Sequence, residues 1–336
     1  MSFHGKVVLV LGGGYGYGAK CVEELLKREV KGVVIADSGQ DHVFLKQLHD
    51  QYGDEKFIFV EVDVTDKASI ENSFERTIEK YGNLDILINA AALFDESQWE
   101  RVIQVNLIGT ATACFLAINK YFPKYKSGVD AYIVNIISIS GLVPIQPAPH
   151  YTASKHGLVG LTRAYGLNKI LTGNGICVMG ICQGLTDIPM VQDLSSKIVY
   201  AEYISEYVLA IQKPEAVATG VMKVLENPES GSIWVVNAGA FLGLIPIATC
   251  PHYVSSKHGI VGLTRSLGMN KTITDQGIYV IGLCPGGTET QMVATSPDVV
   301  IYKKRMQEEM LQFPVQKPDA VAKSIIDLLQ IADRYG

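Results

Sequence analysis

The sequence predicts an α/β protein, a doubly wound parallel sheet of seven strands followed by a partial repeat of that sheet's second half. Three observations predict it. Short apolar runs alternate with helix-patterned stretches across residues 1–238. The first run, Lys6-Val-Val-Leu-Val-Leu11, passes through Gly12-Gly13-Gly14-Tyr15-Gly16-Tyr17-Gly18 into helix formers at 19–27. The second run, Gly32-Val-Val-Ile-Ala36, ends on Asp37, nineteen residues after Gly18.

Taken in order, the opening strand, glycine turn and helix let backbone N–H groups approach a pyrophosphate at a helix N-terminus. This makes Gly12, Gly16, Tyr17 and Gly18 candidate cofactor-binding residues. Asp37 can accept both hydroxyls of an adenosine ribose and would repel a 2′-phosphate, favouring NAD over NADP. The plainer alternative has Asp37 open the next loop or cap the helix near Asp41. Residues 57–62 form a third strand ending at Asp63-Val64, and 68–81 an amphipathic helix. A fourth strand, 84–89, reaches Asn89 and the small residues Ala90-Ala91-Ala92, which suit a flat ligand or tight packing equally. Residues 99–121 carry a helical pattern with Asn106 inside it, a mildly unfavourable position that fits a polar duty or a satisfied core amide. A fifth strand, 131–137, delivers Ser138; 151–171 is a long helix and 175–182 a sixth strand. Residues 188–212 are mixed and carry Tyr200, Tyr203 and Tyr207; 214–225 is a helix opening on Pro, and 231–236 the seventh strand. Every candidate falls at or just beyond a strand's C-terminal end, where ligands bind in such sheets.

The chain has 336 residues, enough for one domain and a large appendage. It is 48% apolar and 19% charged with a mean hydropathy of +0.19, so a large core is within reach. A net charge of −5 without a basic run argues against nucleic acid or an acidic membrane surface as partner. Cys21, Cys114, Cys177, Cys182, Cys250 and Cys284 form no CxxC pair and no zinc pattern, as expected of buried thiols in a reducing compartment. The run Val7–Leu11 is too short for a signal peptide or a membrane span. A soluble, cytoplasmic chain without a metal is expected.

The chemistry centres on His150-Tyr151-Thr152-Ala153-Ser154-Lys155-His156-Gly157, with Ser138 thirteen residues before Tyr151. Tyr151 and Lys155 are four apart in a helix, so they share a face roughly 6 Å apart along its axis. Using a phenol as a base at neutral pH means lowering its pKa from ~10 by roughly 3 units, about 4 kcal/mol. An ammonium about 4 Å away at an intermediate dielectric supplies on the order of 4 kcal/mol. One lysine therefore suffices, in magnitude, to make Tyr151 a general base. A Tyr–Lys pair at this spacing also arises by chance on solvated helix faces.

Together these residues resemble the short-chain dehydrogenase/reductase family across roughly residues 5–238, with its Rossmann-like fold. Gly12-x3-Gly16-x-Gly18 is similar to its dinucleotide turn, Asp37 to its NAD-selecting acid, Asp63-Val64 to its adenine contact and Asn89 to the start of its NNAG element. Asn106, Ser138, Tyr151 and Lys155 resemble its catalytic tetrad. Within the family, Ser138-x12-Tyr151-x3-Lys155-His156-Gly157 and Ser232-Ile-Trp-Val-Val resemble the branches of NAD-dependent 15-hydroxyprostaglandin dehydrogenases and insect-type alcohol dehydrogenases. The resemblance implies that Tyr151 takes the hydroxyl proton as hydride leaves for the nicotinamide. Lys155 would hold the nicotinamide ribose and depress the tyrosine pKa, Ser138 position the substrate oxygen, and Asn106 support a water linking the lysine to solvent. The chain departs from the pattern at Leu11 (for Thr), Ala90 and Ala92 (for Asn and Gly), Gln183 (for Pro) and Ile188 (for the Thr that holds the carboxamide). Thr186 is offered in place of that last Thr. These departures keep a second function in view, a catalytically weakened nucleotide-binding or structural descendant of such an enzyme. The apolar and tyrosine-rich segment 188–212 is expected to cover the site as a lid and to favour an apolar secondary alcohol or ketone; plain core packing explains it equally well.

Residues 149–163 and 251–265 match at 12 of 15 positions, at an offset of 102, including Tyr151/Tyr253 and Lys155/Lys257. The likeness continues through Cys182-Gln-Gly-Leu-Thr186 against Cys284-Pro-Gly-Gly-Thr288 and through Lys213-Pro-Glu-Ala-Val against Lys317-Pro-Asp-Ala-Val. Such a period marks a duplicated piece of a domain rather than a solenoid. Ala240 stands where Ser138 stands in the first copy, and no second glycine turn precedes it. The expectation is therefore a complete unit at 1–238 and an appendage at 239–336 that duplicates 137–230. The alternatives are exchange of the second copy into the sheet and a merged reading of two neighbouring genes. The family forms dimers through the helices bearing Asn106 and the Tyr–Lys pair, so either homo-oligomers form there or the helix of 253–272 docks there within the chain.

Overall fold

The computed structural model describes residues 1–199 and 211–236, together with 259–260, 262–264, 266, 287–288 and 315–316. Seven strands form one sheet: β1 (Val7–Leu11), β2 (Gly32–Asp37), β3 (Phe57–Glu61), β4 (Ile86–Asn89), β5 (Ala131–Ile136), β6 (Ile176–Gln183) and β7 (Ile233–Val236). Their order is β3-β2-β1-β4-β5-β6-β7 and every pairing is parallel. Buried on both faces, such strands read as near-continuous apolar runs; every residue of β1 and β5 is buried, Asn135 being the one side-chain amide among them. The order reverses between β1 and β4, so the chain leaves the two strands in opposite directions and opens a crevice beyond their C-terminal ends.

Helices cover both faces. α1 (Gly16–Lys27) and α7 (Pro214–Glu226) pack on one side through Leu25, Ile35, Val221 and Met222. On the other side α3 (Lys67–Tyr81), α4 (Glu96–Tyr125) and α5 (Pro149–Gly166) enclose Phe74, Phe122, Leu161 and Tyr165. α4 is apolar and long enough to cross a membrane, but Ala113, Cys114, Ala117 and Phe122 spend that character on the sheet. α2 (His42–Tyr52) is capped by Asp41, whose carboxylate accepts from Val43 N and Phe44 N. Asp37 is thus free of that duty.

Three boundaries differ from the sequence reading. α1 starts at Gly16, inside the glycine turn. The predicted helix 99–121 is a composite whose α-helical geometry loosens into π-turns at Gln104–Gly109 and Ala117–Tyr121. The predicted helix 151–171 ends at Gly166, because the Asn168 side chain accepts from Ile170 N and Leu171 N and caps a separate turn, α6 (Lys169–Gly173).

Two glycines are sterically obligatory. Gly12 sits at φ 78° with its missing Cβ position 2.4 Å from Ala91 N, and that of Gly18 lies 1.9 Å from Gly12 O. The turn closes only because neither carries a side chain.

β5 and β6 of the first copy occupy the sheet, so exchange of the second copy into their places is not what the chain adopts. One backbone pairing recurs at the corresponding positions of the two copies. Thr186 pairs in parallel with Gln212, and the equivalent Thr288 pairs in parallel with Gln316. Ala240, Tyr253 and Lys257, and Tyr200, Tyr203 and Tyr207 of the expected lid, lie outside the described residues. Cys21, Cys114 and Cys182 are buried free thiols, and burial pushes each up to about 12.

Candidate active site

A cleft of about 670 Å³ opens at the crevice between β1 and β4, lined by Gly12, Gly16, Tyr17, Asp37, Asp63 and Val64 among others. Asp37 Oδ2 accepts from Gly14 N at 2.9 Å and Oδ1 from Ser38 N at 2.8 Å. The carboxylate is therefore oriented by the glycine turn itself, and burial holds its pKa above the usual range. Asp63 Oδ1 accepts from Thr65 N (2.9 Å) and Thr65 Oγ1 (2.8 Å), which hold its carboxyl below that range. Asn89 lies beneath the cleft, its amide donating to Asn135 Oδ1 at 2.8 Å, so it braces the floor from inside the sheet.

A second, inner cavity of about 240 Å³ adjoins the first and is lined by Ser138, Tyr151, Phe94, Ile145, Thr186 and Met190 among others. Tyr17 and Ile188 border both spaces. Thr186 donates to Gly184 O at 3.0 Å. Ser138 just beyond β5 and Tyr151 in the first turn of α5 line this cavity together, the serine hydroxyl donating to Ser140 Oγ at 3.1 Å. The Tyr151 ring rests edge-on against Phe94, centroids 4.6 Å apart.

Lys155 reaches the same place, its Nζ 5.4 Å from the Tyr151 ring centroid. Here the electrostatic expectation is corrected. Burial pushes the Tyr151 phenol up to about 12 and draws the Lys155 ammonium down to about 7. A lysine fully charged at no desolvation cost would lower the phenol, but in the fold both groups leave water together. Lys155 Nζ is buried and has no hydrogen-bond partner among the described residues. A buried amine three donors rich calls for acceptors; with the Asp37 carboxylate and the Cβ-free turn it fits a dinucleotide whose ribose hydroxyls would meet it.

The sign of the resulting pH dependence is fixed. Below about pH 7 Lys155 is charged in both folded and unfolded chains and its burial penalty is fully present; toward the ordinary value of 10.5 only the unfolded chain keeps the proton. Stability is expected to rise by up to about 1.4 kcal/mol per pH unit from about pH 7 to about 9, beyond which the buried thiols, held at about 12, ionise first in the unfolded chain and offset the rise. Above the phenol's ordinary 10.0 the unfolded tyrosine ionises first, and stability falls again toward about 12. Urea midpoints across this range check it, and Lys155→Met should flatten the rising limb.

Asn106 occupies the first π-turn. Its Oδ1 accepts from Leu93 N at 2.7 Å, while Nδ2 donates to Leu93 O at 3.0 Å and Ser154 Oγ at 3.1 Å. Ser154 Oγ in turn donates to Tyr151 O at 2.7 Å. Asn106 thus ties the segment beyond β4 to the tyrosine helix.

Glu96 went unnoticed in the sequence. Its carboxylate, 1% exposed, accepts from Tyr151 N at 2.8 Å, His150 N at 3.2 Å and the His150 ring at 2.7 Å. A carboxylate at a helix N-terminus satisfies orphan donors and opposes the macrodipole. It sits 55 residues before Tyr151, and only the acidic pair Asp95-Glu96 at the start of α4 could have hinted at it. Glu96→Ala is expected to cost about 1–3 kcal/mol by stranding those donors, read from the urea midpoint.

A parallel sheet with this strand order, a glycine turn facing an acid and an adjoining cavity lined by Ser138 and Tyr151 mark the dinucleotide-dependent oxidoreductase class. The chain belongs to the short-chain dehydrogenase family, whose model matches residues 6–198 and 214–299. Among its relatives, 15-hydroxyprostaglandin dehydrogenase (NAD+) of Rattus norvegicus is 31% identical over 248 residues, 71% of this chain and 93% of that protein. Alcohol dehydrogenase 1 of Ceratitis cosyra is 31% identical over 250 residues, 73% and 97%. A solved dehydrogenase/reductase from Sinorhizobium meliloti 1021 superimposes with a TM-score of 0.59 at 25% identity, covering 71% of this chain and 97% of that one. The 3-ketoacyl-(acyl-carrier-protein) reductase of Brucella melitensis, solved with NADH, shares the fold at 22% identity and a TM-score of 0.58, covering 71% and 99%.

Proposed function

We propose that this chain transfers a hydride between an apolar secondary alcohol, or its ketone, and NAD, with Tyr151 as general base. The observation that carries the reading is Ser138 and Tyr151 lining the inner cavity beside the dinucleotide cleft, with an unpartnered Lys155 Nζ buried 5.4 Å from the Tyr151 ring centroid. Gly12, Gly16, Tyr17, Gly18, Asp37, Asp63, Val64, Lys155 and Thr186 would hold the cofactor, over a floor braced by Asn89. When bound, the nicotinamide supplies the hydride acceptor. Ser138 holds the substrate oxygen, Tyr151 withdraws its proton, and Lys155 donates to the ribose hydroxyls; Asn106 supports a water between the lysine and solvent. Ile145, Leu185, Met190 and Val191 make the cavity wall apolar, which favours an apolar carbinol over a sugar or a charged acid. Free buried thiols suit a reducing compartment such as the cytoplasm.

The second reading, a weakened NAD-binding protein, draws on one observation: the phenol is pushed away from neutrality rather than toward it. An NAD titration alongside NADH formation from a panel of apolar secondary alcohols separates the two. Turnover is expected; tight NAD binding with no turnover across the panel would favour the second.

A further inference from the structure

The Tyr151 ring packs apart from the two main cores of the sheet, in a small cluster with Val102 and Ala148 against which Leu93, Phe94 and Ile145 rest. Where the phenol stands is therefore set by this cluster, and the segment beyond β4 supplies two of its members.

Glu96, two residues past Phe94, ties that segment to α5 with a carboxylate that accepts from Tyr151 N, His150 N and the His150 ring. The imidazole is itself stacked on Trp99, centroids 4.9 Å apart. The backbone N–H of Glu96 has a different partner, Lys197 O at 2.8 Å. Lys197 gathers its own segment into a unit, Nζ donating to Met190 O at 3.0 Å and Gln192 O at 2.8 Å. Met190 and Leu194 of that unit line the inner cavity, as Phe94 and Tyr151 do. A second tie runs from Val199 N to Pro147 O at 2.9 Å, just ahead of α5. The phenol and the wall across from it, far apart in sequence, thus hang from one residue.

We propose that Glu96 is a positioning residue for the hydride transfer. Its carboxylate fixes the phenol through the backbone of Tyr151, and its N–H fixes the wall at 190–197 on which the apolar part of the alcohol lies. One residue then sets the spacing between base and substrate; the inference rests on the reading of Tyr151 as general base. A carboxylate suits the task because the two backbone N–H groups and the imidazole facing it can all donate. A glutamine of the same size turns an NH2 group toward one of them.

Glu96→Gln in the full chain tests this, by kinetics over a panel of apolar secondary alcohols, NAD titration and amide hydrogen exchange. Turnover, kcat per folded molecule, is expected to fall about 10–100-fold, because misplacing a reacting group by about 1 Å costs on that order. NAD affinity should not change, and exchange should quicken together at 150–153 and 190–197. Lys197→Met frees the wall and leaves Tyr151 held. It is expected to raise KM for the alcohols, keep kcat near wild type and quicken exchange at 190–197 alone. A glutamate that only stabilises the fold would lower the urea midpoint of Glu96→Gln and leave kcat per folded molecule at wild type, which overturns the proposal. Exchange unchanged in both segments also overturns it. Where Glu96→Gln does not fold, an unchanged KM in Lys197→Met overturns it instead. Tyr151→Phe, assayed alongside, separates the two readings. Full turnover by that variant overturns the general base and with it the role of Glu96; its loss, with wild-type kcat in Glu96→Gln, overturns the positioning alone.

Discussion

Tyr151→Phe is expected to lower kcat/KM for alcohol oxidation by about 10²–10⁴-fold, the range for removing a general base, while NAD binding changes little. The phenol sits beside the Ser138 hydroxyl in the inner cavity, and Phe keeps the ring that packs on Phe94. The loss therefore reports the oxygen, not the packing. Tyr253→Phe, in the copy that has Ala240 in place of a serine, is expected to leave turnover near wild type. Steady-state kinetics on both variants, with the circular dichroism of each, make the check. If only the Tyr253 change abolished turnover, the assignment of the working copy would be reversed.

Asp37→Ala is expected to weaken NAD by about 10²-fold or more. Hydrogen bonds to a charged group contribute about 1.5–3 kcal/mol each, and this carboxylate can receive two from a ribose. Its own anchors, Gly14 N and Ser38 N, would be left unsatisfied at the turn, adding to the loss. The same change removes the repulsion against a 2′-phosphate, so the ratio of NAD to NADP affinity should fall further than the NAD affinity itself. Titration of both cofactors against the two proteins checks the ratio.

What the sequence revealed, and what it hid, divides along the distance over which each interaction acts. The strands were legible because Val7–Leu11 and Ala131–Ile136 are buried on both faces and so read as near-continuous apolar runs, broken only by Asn135. The glycine turn and Asp37 were legible because a turn that excludes every Cβ admits few sequences. Tyr151 and Lys155 share one helix, and helical spacing alone places them together. By contrast, Glu96 meets Tyr151 N across 55 residues, and Asn106 finds Leu93 and Ser154 through a π-turn that no periodicity announces. The break at Leu167 depends on the Asn168 side chain turning back to cap α6. The direction of the Tyr151 shift was misread for a related reason. Spacing gives the distance between two groups, but desolvation depends on everything else packed around them.

The thiols buried in the sheet and helices have a practical corollary. Only a thiolate reacts with an alkylating reagent, and Cys21, Cys114 and Cys182 are out of solvent with their thiols at about 12. Labelling at those three positions near neutral pH must wait for the interior to open. Its rate then serves as a clock for unfolding, and inactivation by a maleimide that keeps pace with their labelling would record breathing of the core rather than attack on the catalytic groups.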